Sequence, residues 1–305
     1  MKREYLLLST LLAVSLFLAD ISTFSNQEQA RLSHSTNSVL WRGEGGIMLP
    51  LSQPLIIAHR GASKLAPENT LPAFKKALDF NSDFIELDYH TTKDGKMVVI
   101  HGDYLDSTTD AEKKFGHSKI AVNSKTLKEI QSLDAGKWKE SKFKGARIPT
   151  LKEAMAVIQK TSFTLIERKE GKPKDLFLFL KKEGWITNVI VQSFDWNFIK
   201  QLGEYSNAIS KSAIGPPEKY KGQILTKKEQ WLNKEFIEYI ASLDAQFITW
   251  NNQITAISIA LAHEKGLRVF IWTIDDPDEA ERLVKLGVDG IITNDVESIA
   301  KRLRK

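Results

Sequence analysis

Short apolar runs alternate with helical patterns along most of this chain. The runs recur at residues 55–58, 84–88, 97–100, 163–166, 189–192, 208–213, 246–250, 268–272 and 289–293. Helical periodicity falls between them, at residues 151–160, 174–183, 233–240, 254–264, 277–286 and 296–303. Strands that alternate with helices at this spacing predict a parallel sheet with helices packed on it.

Turn and cap residues define the breaks between these elements. Asp94-Gly95 is a turn signal, so the run at 97–100 is expected to return beside the run at 84–88. The sequence does not decide between a hairpin and a short crossover. Asn69 is a plausible N-cap for a helix with Pro72 in its first turn. Gly266 and Gly287 are typical of the glycines that end helices.

The strand count bears on the fold class. If the run at 97–100 is the return arm of a hairpin, eight parallel strands remain. That number favours an α/β fold of the (β/α)8 TIM-barrel type, with an open doubly wound sheet as the alternative. Residues 103–147 break the alternation and are rich in Lys, Asp and Ser, which predicts an insertion between barrel elements.

The N-terminal segment is typical of an export signal. Lys2 and Arg3 precede an almost unbroken apolar stretch at residues 5–19, which as a helix would span about 22 Å, short of the ~30 Å hydrocarbon core. Residues 1–25 are therefore predicted to be a signal peptide, with an uncleaved anchor as the alternative. Residues 26–50 read as a flexible leader and 51–305 as the folded domain. The protein is expected to be exported, periplasmic or secreted.

Composition excludes several classes of site. The 305 residues include no cysteine, which rules out disulfides, thiolate metal sites, cysteine nucleophiles and a lipoprotein anchor. The formal net charge is +5, but the lysines are spread along the chain. This pattern indicates a solvated basic surface rather than nucleic-acid binding, and it leaves room for peripheral membrane contact. Nothing in the sequence sets the oligomeric state.

Charged and titratable side chains gather at the ends of the early apolar runs. His59 ends the run at 55–58, and His101 follows the run at 97–100. Glu86 and Asp88 share one face of their run because side chains alternate along a strand. Two carboxylates on one face suit a hard cation such as Mg²⁺ or Ca²⁺. With Arg60 nearby, this set can hold a divalent cation, bind a phosphate and move protons.

Two more residues extend this set. Glu167 and Lys169 share a face by the same two-residue period. Glu167 is expected to be the third carboxylate of the cation site, and Lys169 to place a positive charge beside the phosphate. His90 shares the face of Glu86 and Asp88, but nothing else marks it for chemistry. The remaining histidines are expected to face solvent; they are His34, His117 and His263.

Taken in order, these motifs resemble the glycerophosphodiester phosphodiesterase family. The resemblance covers residues 54–304 and rests on His59-Arg60-Gly61, Ala66-Pro67-Glu68-Asn69-Thr70, Glu86-Leu87-Asp88, Asp94-Gly95, Val98-Val99-Ile100-His101, Leu133-Asp134-Ala135-Gly136, Arg147-Ile148-Pro149-Thr150-Leu151, Leu165-Ile166-Glu167, Lys169, Gln192-Ser193-Phe194, Trp272-Thr273 and Gly287-Val288-Asp289-Gly290-Ile291-Ile292-Thr293. Three positions depart from the family pattern. Ser107 stands where the family usually has Arg, Arg168 stands where an apolar residue is usual, and Asp275 stands where Asn is common.

The resemblance implies a barrel with a small subdomain inserted at 103–147. It also implies hydrolysis of a small glycerophosphodiester to sn-glycerol 3-phosphate and an alcohol. The expected roles are catalytic for His59 and His101, substrate-binding for Arg60, Lys169 and Trp272, and metal-binding, for Mg²⁺ or Ca²⁺, for Glu86, Asp88 and Glu167. The alternatives are a lysophospholipase D-type or sphingomyelinase D-type enzyme acting on lipid phosphodiesters, and a binding protein with an inactive barrel.

Overall fold

The computed structural model describes residues 53–304, together with the backbone of two short strands that pair with each other, Leu40–Arg42 and Met48–Pro50. The predicted signal peptide at 1–25 and His34 lie outside the described residues. So does the predicted leader, apart from these two strands. No helix in the described part of the chain is both long and apolar enough to cross a membrane.

Eight parallel strands form a closed barrel. They are β1 (Leu55–Ala58), β2 (Phe84–Thr91), β3 (Phe163–Arg168), β4 (Val189–Ser193), β5 (Ser210–Ile214), β6 (Phe247–Trp250), β7 (Arg268–Ile271) and β8 (Gly290–Thr293). Each strand pairs with the next in the chain, and β8 pairs in parallel with β1 to close the ring. The closed barrel predicted from the sequence is confirmed, and the open sheet is excluded.

A helix follows every barrel strand. These helices are α1 (Leu71–Asp79), α4 (Leu151–Ile158), α5 (Pro173–Glu183), α6 (Trp196–Tyr205), α7 (Lys234–Ser242), α8 (Ala256–Glu264), α9 (Pro277–Lys285) and α10 (Val296–Leu303). Two short helices, α2 (Ala111–Phe115) and α3 (Leu127–Ile130), lie in the insertion. Single 3-10 turns occur at Leu105–Ser107, Val122–Ser124, Ser141–Phe143 and Ile186–Asn188.

The strand at Met97–Val99, here called the hairpin arm, runs antiparallel to the end of β2. This confirms the hairpin. The insertion at 103–147 starts just after the arm and returns to it where Val99 donates its N–H to the Pro149 carbonyl, at 2.9 Å. A hydrophobic core of its own, separate from the barrel's, holds the insertion together; its buried members are Val98, Ile100, Leu105, Ala111, Ile120, Val122, Ile130, Leu133, Ala135 and Ile148.

The barrel interior changes character along its axis. One apolar layer fills the interior toward the N-terminal strand ends: Leu55, Ile57, Phe84, Leu165, Ile190, Phe247, Phe270 and Ile292. Two residues further along β3 and β4, the same alternation brings Glu167 and Gln192 inward, side by side. Ser212 of β5 and Thr249 of β6 join their hydroxyls at 2.8 Å. The interior is therefore apolar at its base and polar at its mouth.

Two local predictions were wrong or incomplete. Asn69 does not cap α1, because the helix begins after Thr70 and Asn69 has a positive φ of 56°. Helix α6 was not anticipated, although Asp195 caps it by accepting hydrogen bonds from Asn197 N–H and Phe198 N–H. The glycines predicted to end helices do so, with φ of +75° at Gly266 and +103° at Gly287.

Candidate active site

Three carboxylates meet at the C-terminal ends of β2 and β3. Glu86 and Asp88 lie two residues apart on β2, and Asp88 pairs in register with Glu167 of β3. One oxygen from each side chain lies within 4.8 Å of the others, and all three residues are buried. Strand alternation and parallel register alone bring them together, as the sequence predicted.

Burial and mutual repulsion set the protonation of these groups. Burial, assisted by the negative charge of neighbouring Asp88, raises the pKa of Glu167 to about 7. Burial also raises the pKa of Glu86 well above its usual range, with both other carboxylates adding to the shift. Burial alone would raise the pKa of Asp88 too, but Lys169 and Arg60 outweigh it and lower the pKa. Such a cluster stays fully ionised only with added positive charge.

The donor set fits a hard divalent cation. Glu86 Oε1, Asp88 Oδ1 and Glu167 Oε1 are buried and have no hydrogen-bond partner among the described residues, although Lys169 lies close to two of them. Buried carboxylate oxygens without donors are the ligands that Mg²⁺ and Ca²⁺ take. These three residues can therefore hold such a metal.

Two cationic side chains border the carboxylates. Lys169 contacts Glu167 and lies 3.3 Å from Asp88 Oδ1. Arg60 lies 3.4 Å from Asp88 Oδ2 through Nε and donates to Glu68 Oε1 at 2.9 Å. With Glu68 included, four carboxylates face these two cations, which leaves two negative charges unbalanced when all four are ionised. A divalent cation would cancel them and allow the site to accept a phosphodiester anion.

The loop after β1 depends on two residues with left-handed backbone conformations. Arg60 has φ 58° and its N–H donates to Glu86 Oε2 at 2.9 Å. Asn69 donates from Nδ2 to Asp88 Oδ2 at 2.8 Å and accepts from Asp88 N–H at 3.2 Å. Asn69 thus holds a carboxylate of the cluster, a role that the sequence motif did not reveal.

The two histidines flank the cluster from different elements. His59 follows β1, and its Nδ1 lies 2.8 Å from Asn294 Oδ1. Burial, assisted by Arg60, lowers the pKa of His59 to about 4. Burial also lowers the pKa of His101, which follows the hairpin arm, to about 4. Both imidazoles are therefore neutral at physiological pH and available for proton transfer.

Aromatic and polar side chains line the opposite part of the mouth. Trp272 donates from Nε1 to the Gly215 carbonyl at 3.1 Å and meets Phe194 edge-to-face at 5.7 Å. Phe194 is 44% exposed. Gln192 is buried next to Glu167, and its Oε1 has no hydrogen-bond partner among the described residues. The only signal for Gln192 in the sequence was its place in the family motif Gln192-Ser193-Phe194.

The other histidines of the described residues lie outside this site. His90 is buried, with Nε2 3.4 Å from the His101 carbonyl and Nδ1 3.8 Å from Glu170, which fits a packing role. His117 is exposed, as expected. His263 is exposed but also bonds through Nε2 to Asp289 at 2.7 Å, a contact that the sequence did not predict.

Comparison with known proteins places this site in a family. Residues 59–298 match the model of the glycerophosphoryl diester phosphodiesterase family. A glycerophosphodiester phosphodiesterase of Caldanaerobacter subterraneus is 34% identical over 258 residues, covering 82% of this chain and 98% of the relative. One of Bacillus subtilis is 27% identical over 282 residues, covering 86% and 90%.

Solved structures share the fold. An Oleispira antarctica phosphodiesterase, solved with the product sn-glycerol-3-phosphate, superposes with a TM-score of 0.72 at 24% identity, covering 83% of this chain and 98% of that one. A glycerophosphodiester phosphodiesterase of Agrobacterium tumefaciens superposes with a TM-score of 0.66 at 25% identity, covering 81% and 99%. With its barrel, its carboxylate cluster and its paired histidines, this chain belongs to the glycerophosphoryl diester phosphodiesterase family.

Proposed function

We propose that this protein hydrolyses glycerophosphodiesters to sn-glycerol 3-phosphate and an alcohol, with Mg²⁺ or Ca²⁺ as cofactor. The observation that carries the proposal is one site that combines three buried carboxylates, two cationic side chains and two neutral histidines at a barrel mouth. Family membership and the similarity to named glycerophosphodiester phosphodiesterases support it.

The metal ligands in this proposal are Glu86, Asp88 and Glu167. When bound, the cation would act as a Lewis acid toward a phosphoryl oxygen. Arg60 and Lys169 would balance the negative charge that grows on the phosphoryl oxygens in the transition state. Both already lie within 3.4 Å of Asp88, so they are held in place before substrate binds.

The histidines supply the proton transfers. One neutral imidazole takes a proton from the attacking group, which is water or the glycerol 2-hydroxyl, and the oxygen of that group then bonds to phosphorus. If the 2-hydroxyl attacks first, water opens the resulting cyclic phosphate in a second step and gives sn-glycerol 3-phosphate. The bond from phosphorus to the departing oxygen breaks, and that oxygen takes a proton from the other histidine. This second histidine is neutral without substrate and would take up its proton when the negative charge of the bound phosphodiester raises its pKa. His59 and His101 reach the cluster from two different elements, which suits a pair acting on opposite sides of one phosphorus. Trp272 and Phe194 would border the substrate.

A substrate panel tests the proposal. Glycerophosphocholine and glycerophosphoethanolamine should each release glycerol 3-phosphate, and excess chelator should abolish the release until Mg²⁺ or Ca²⁺ is restored. Full activity in chelator, with no metal retained by elemental analysis, would overturn the metal assignment. If neither diester is cleaved when metal is present, the substrate assignment is wrong.

The alternative activity, on lipid phosphodiesters, is tested with the same substrate panel. A lysophospholipase D-type or sphingomyelinase D-type enzyme needs an apolar surface for the lipid tail. The apolar side chains of the insertion mostly pack into that segment's own core, which weakens this alternative. Lysophosphatidylcholine, read out as free choline, should therefore be a poorer substrate than glycerophosphocholine by kcat/KM.

A further inference from the structure

The seam that closes the barrel joins a catalytic candidate to the last strand. His59 follows β1 and Asn294 follows β8, and these strands pair in register up to Ala58 and Thr293. His59 N–H donates to the Thr293 carbonyl at 2.8 Å, which extends the ladder to the site. The His59 ring then meets the Asn294 side chain through Nδ1 and Oδ1, at 2.8 Å.

Asp275 fixes which way the Asn294 amide faces. Asn294 Nδ2 donates to Asp275 Oδ2 at 2.8 Å, and Asn294 N–H donates to Asp275 Oδ1 at 2.7 Å. The Thr293 hydroxyl donates to the same Oδ1 at 3.0 Å. An ionised carboxylate only accepts hydrogen bonds, so the nitrogen of the amide must face Asp275. The amide oxygen is left to face His59.

This orientation determines the tautomer of His59. An amide oxygen accepts and cannot donate, so the ring nitrogen beside it, Nδ1, must carry the hydrogen. In the neutral ring the other nitrogen, Nε2, then keeps its lone pair. Ser63 supports the arrangement, because its hydroxyl lies 2.8 Å from both Asn294 Oδ1 and the His59 carbonyl.

We propose that Asp275 and Asn294 are positioning residues that hold neutral His59 in its Nδ1–H tautomer, so that Nε2 acts as the base in the attack step. The role of base rests on the proposed function, whereas the tautomer does not. His101 is then the group that returns a proton to the departing oxygen. Asp275, the position where the family commonly has Asn, orients the imidazole through Asn294, and its negative charge also acts on the ring.

The tautomer can be measured without any turnover. In protein labelled with ¹⁵N-histidine, the ring-nitrogen shifts of His59, assigned with the His59→Gln variant, should report a protonated Nδ1 and an unprotonated Nε2 at neutral pH. The Asn294→Ala variant should lose this preference. A wild-type ring protonated at Nε2 would overturn the proposal, whether or not the enzyme cleaves glycerophosphodiesters.

Kinetics separate positioning from simple structural support. Asn294→Ala should lower kcat about 10-fold or more while KM stays within about twofold, the usual scale for losing a residue that orients a catalytic ring. Asn294→Asp alone should also lower kcat, because it sets two carboxylates against each other at the present 2.8 Å contact. Asn197→Ala, on the exposed face of α6, should leave both parameters unchanged.

Exchanging the side chains at positions 275 and 294 tests whether the lost activity can be rescued. In the double variant Asp275→Asn with Asn294→Asp, a carboxylate at 294 still accepts from His59 Nδ1, and an amide at 275 still donates to it. This variant should recover most of the kcat lost in Asn294→Asp and should keep the Nδ1–H shift pattern. A folded double variant, by circular dichroism, that keeps the shift pattern but recovers no activity would overturn the assignment of His59 as the base.

Discussion

At Glu167 and Lys169, two side chains of opposite charge touch each other and also face Asp88. The two-residue strand period predicted that they share a face, and the structure brings both to the cluster. Their charges suit different partners, since a cation binds the carboxylate and a phosphate binds the ammonium. The contact between them is therefore expected to open when metal and substrate bind.

Separate substitutions distinguish these two roles. Glu167→Gln should weaken metal affinity and leave activity that is recovered at high metal concentration. Lys169→Met should raise KM or lower kcat with metal affinity unchanged, since its charge acts on the phosphate. Calorimetric titration of metal into both variants is the measurement. Loss of metal affinity in the Lys169 variant alone would reverse the two assignments.

His101 should be essential for turnover. His101→Ala should lower kcat about 10²-fold or more, the usual scale for losing a general acid or base. His117→Ala is the matched control, since His117 lies exposed in the insertion and should leave kcat unchanged. Near wild-type kcat in the His101 variant on glycerophosphocholine would remove it from the mechanism.

Residue-level prediction from the sequence succeeds where a regular period carries it. Alternation along β2 and β3 was enough to bring together Glu86, Asp88 and Glu167. It could not reveal Asn69, whose side chain reaches Asp88 from a left-handed loop position. Nor could it reveal Asn294, because a contact across the barrel seam depends on closure of the whole ring.

Among the elements, the loop between β1 and α1 is tightly constrained. Gly61 has φ +79°, and a Cβ there would lie 2.7 Å from the backbone carbon of Ala73 in α1. This close approach of loop and helix holds Arg60 next to the carboxylates. The insertion reaches the same loop, since Lys139 Nζ donates to the Ser63 carbonyl at 2.9 Å.

Gly61→Ala should therefore destabilise the fold more than its backbone conformation alone requires. A left-handed non-glycine residue costs about 1–2 kcal/mol, and the steric clash adds about 1–3 kcal/mol. Gly116→Ala is the matched control, with φ +80° and no atom within 4 Å of its Cβ. Denaturant unfolding should show a clearly larger loss of free energy for Gly61. Equal losses would contradict the packing argument.

Prediction of the elements failed at one amphipathic helix and within the insertion. The barrel strands were placed within about two residues, because buried parallel strands are short apolar runs with turn residues around them. Helix α6 was overlooked although four of its residues are buried: Trp196, Phe198, Ile199 and Leu202. The short helices of the insertion could not be read from its polar composition, since its apolar residues are dispersed among charged ones.

For the whole molecule, the buried Glu86 and Glu167 make stability depend on pH in a definite direction. The pKa of Glu167 is raised from 4.5 to about 7, so between these values the folded chain keeps a proton that the unfolded chain has lost. The folding stability that this retained proton contributes is present at lower pH and is lost as pH rises through about 7. His59 and His101, whose pKa is lowered from 6.5 to about 4, act in the opposite direction below pH 6.5.

In chelator, the free energy of unfolding should fall as pH rises from about 7 to ~8, where the raised pKa values of Glu86 and Glu167 outweigh the lowered pKa values of the histidines. Saturating Mg²⁺ or Ca²⁺ should remove this slope, because the metal binds the ionised form. The Glu167→Gln variant should show a smaller slope of stability against pH in chelator. Denaturant titrations at several pH values measure the slope, and a rise in stability with pH across this range would contradict the sign.

Export remains a proposal about residues outside the described structure. We propose that the mature protein leaves the cytoplasm with its first residues removed, on the ground of Lys2, Arg3 and the short apolar stretch at 5–19. Cell fractionation with N-terminal sequencing measures this directly. Recovery of intact Met1 in a soluble cytoplasmic fraction would contradict it.

The seam between the first and last strands has a consequence for synthesis. His59 and Asn294 are separated by 235 positions, so the ribosome releases the second long after the first. A chain cut short before β8 would carry the three carboxylates of the cluster, together with His59 and His101. Its His59 would nevertheless lack the Asn294 amide that orients the ring. Full hydrolytic activity would then require a chain long enough to include Asn294, and a shorter nascent chain would act on phosphodiesters more slowly.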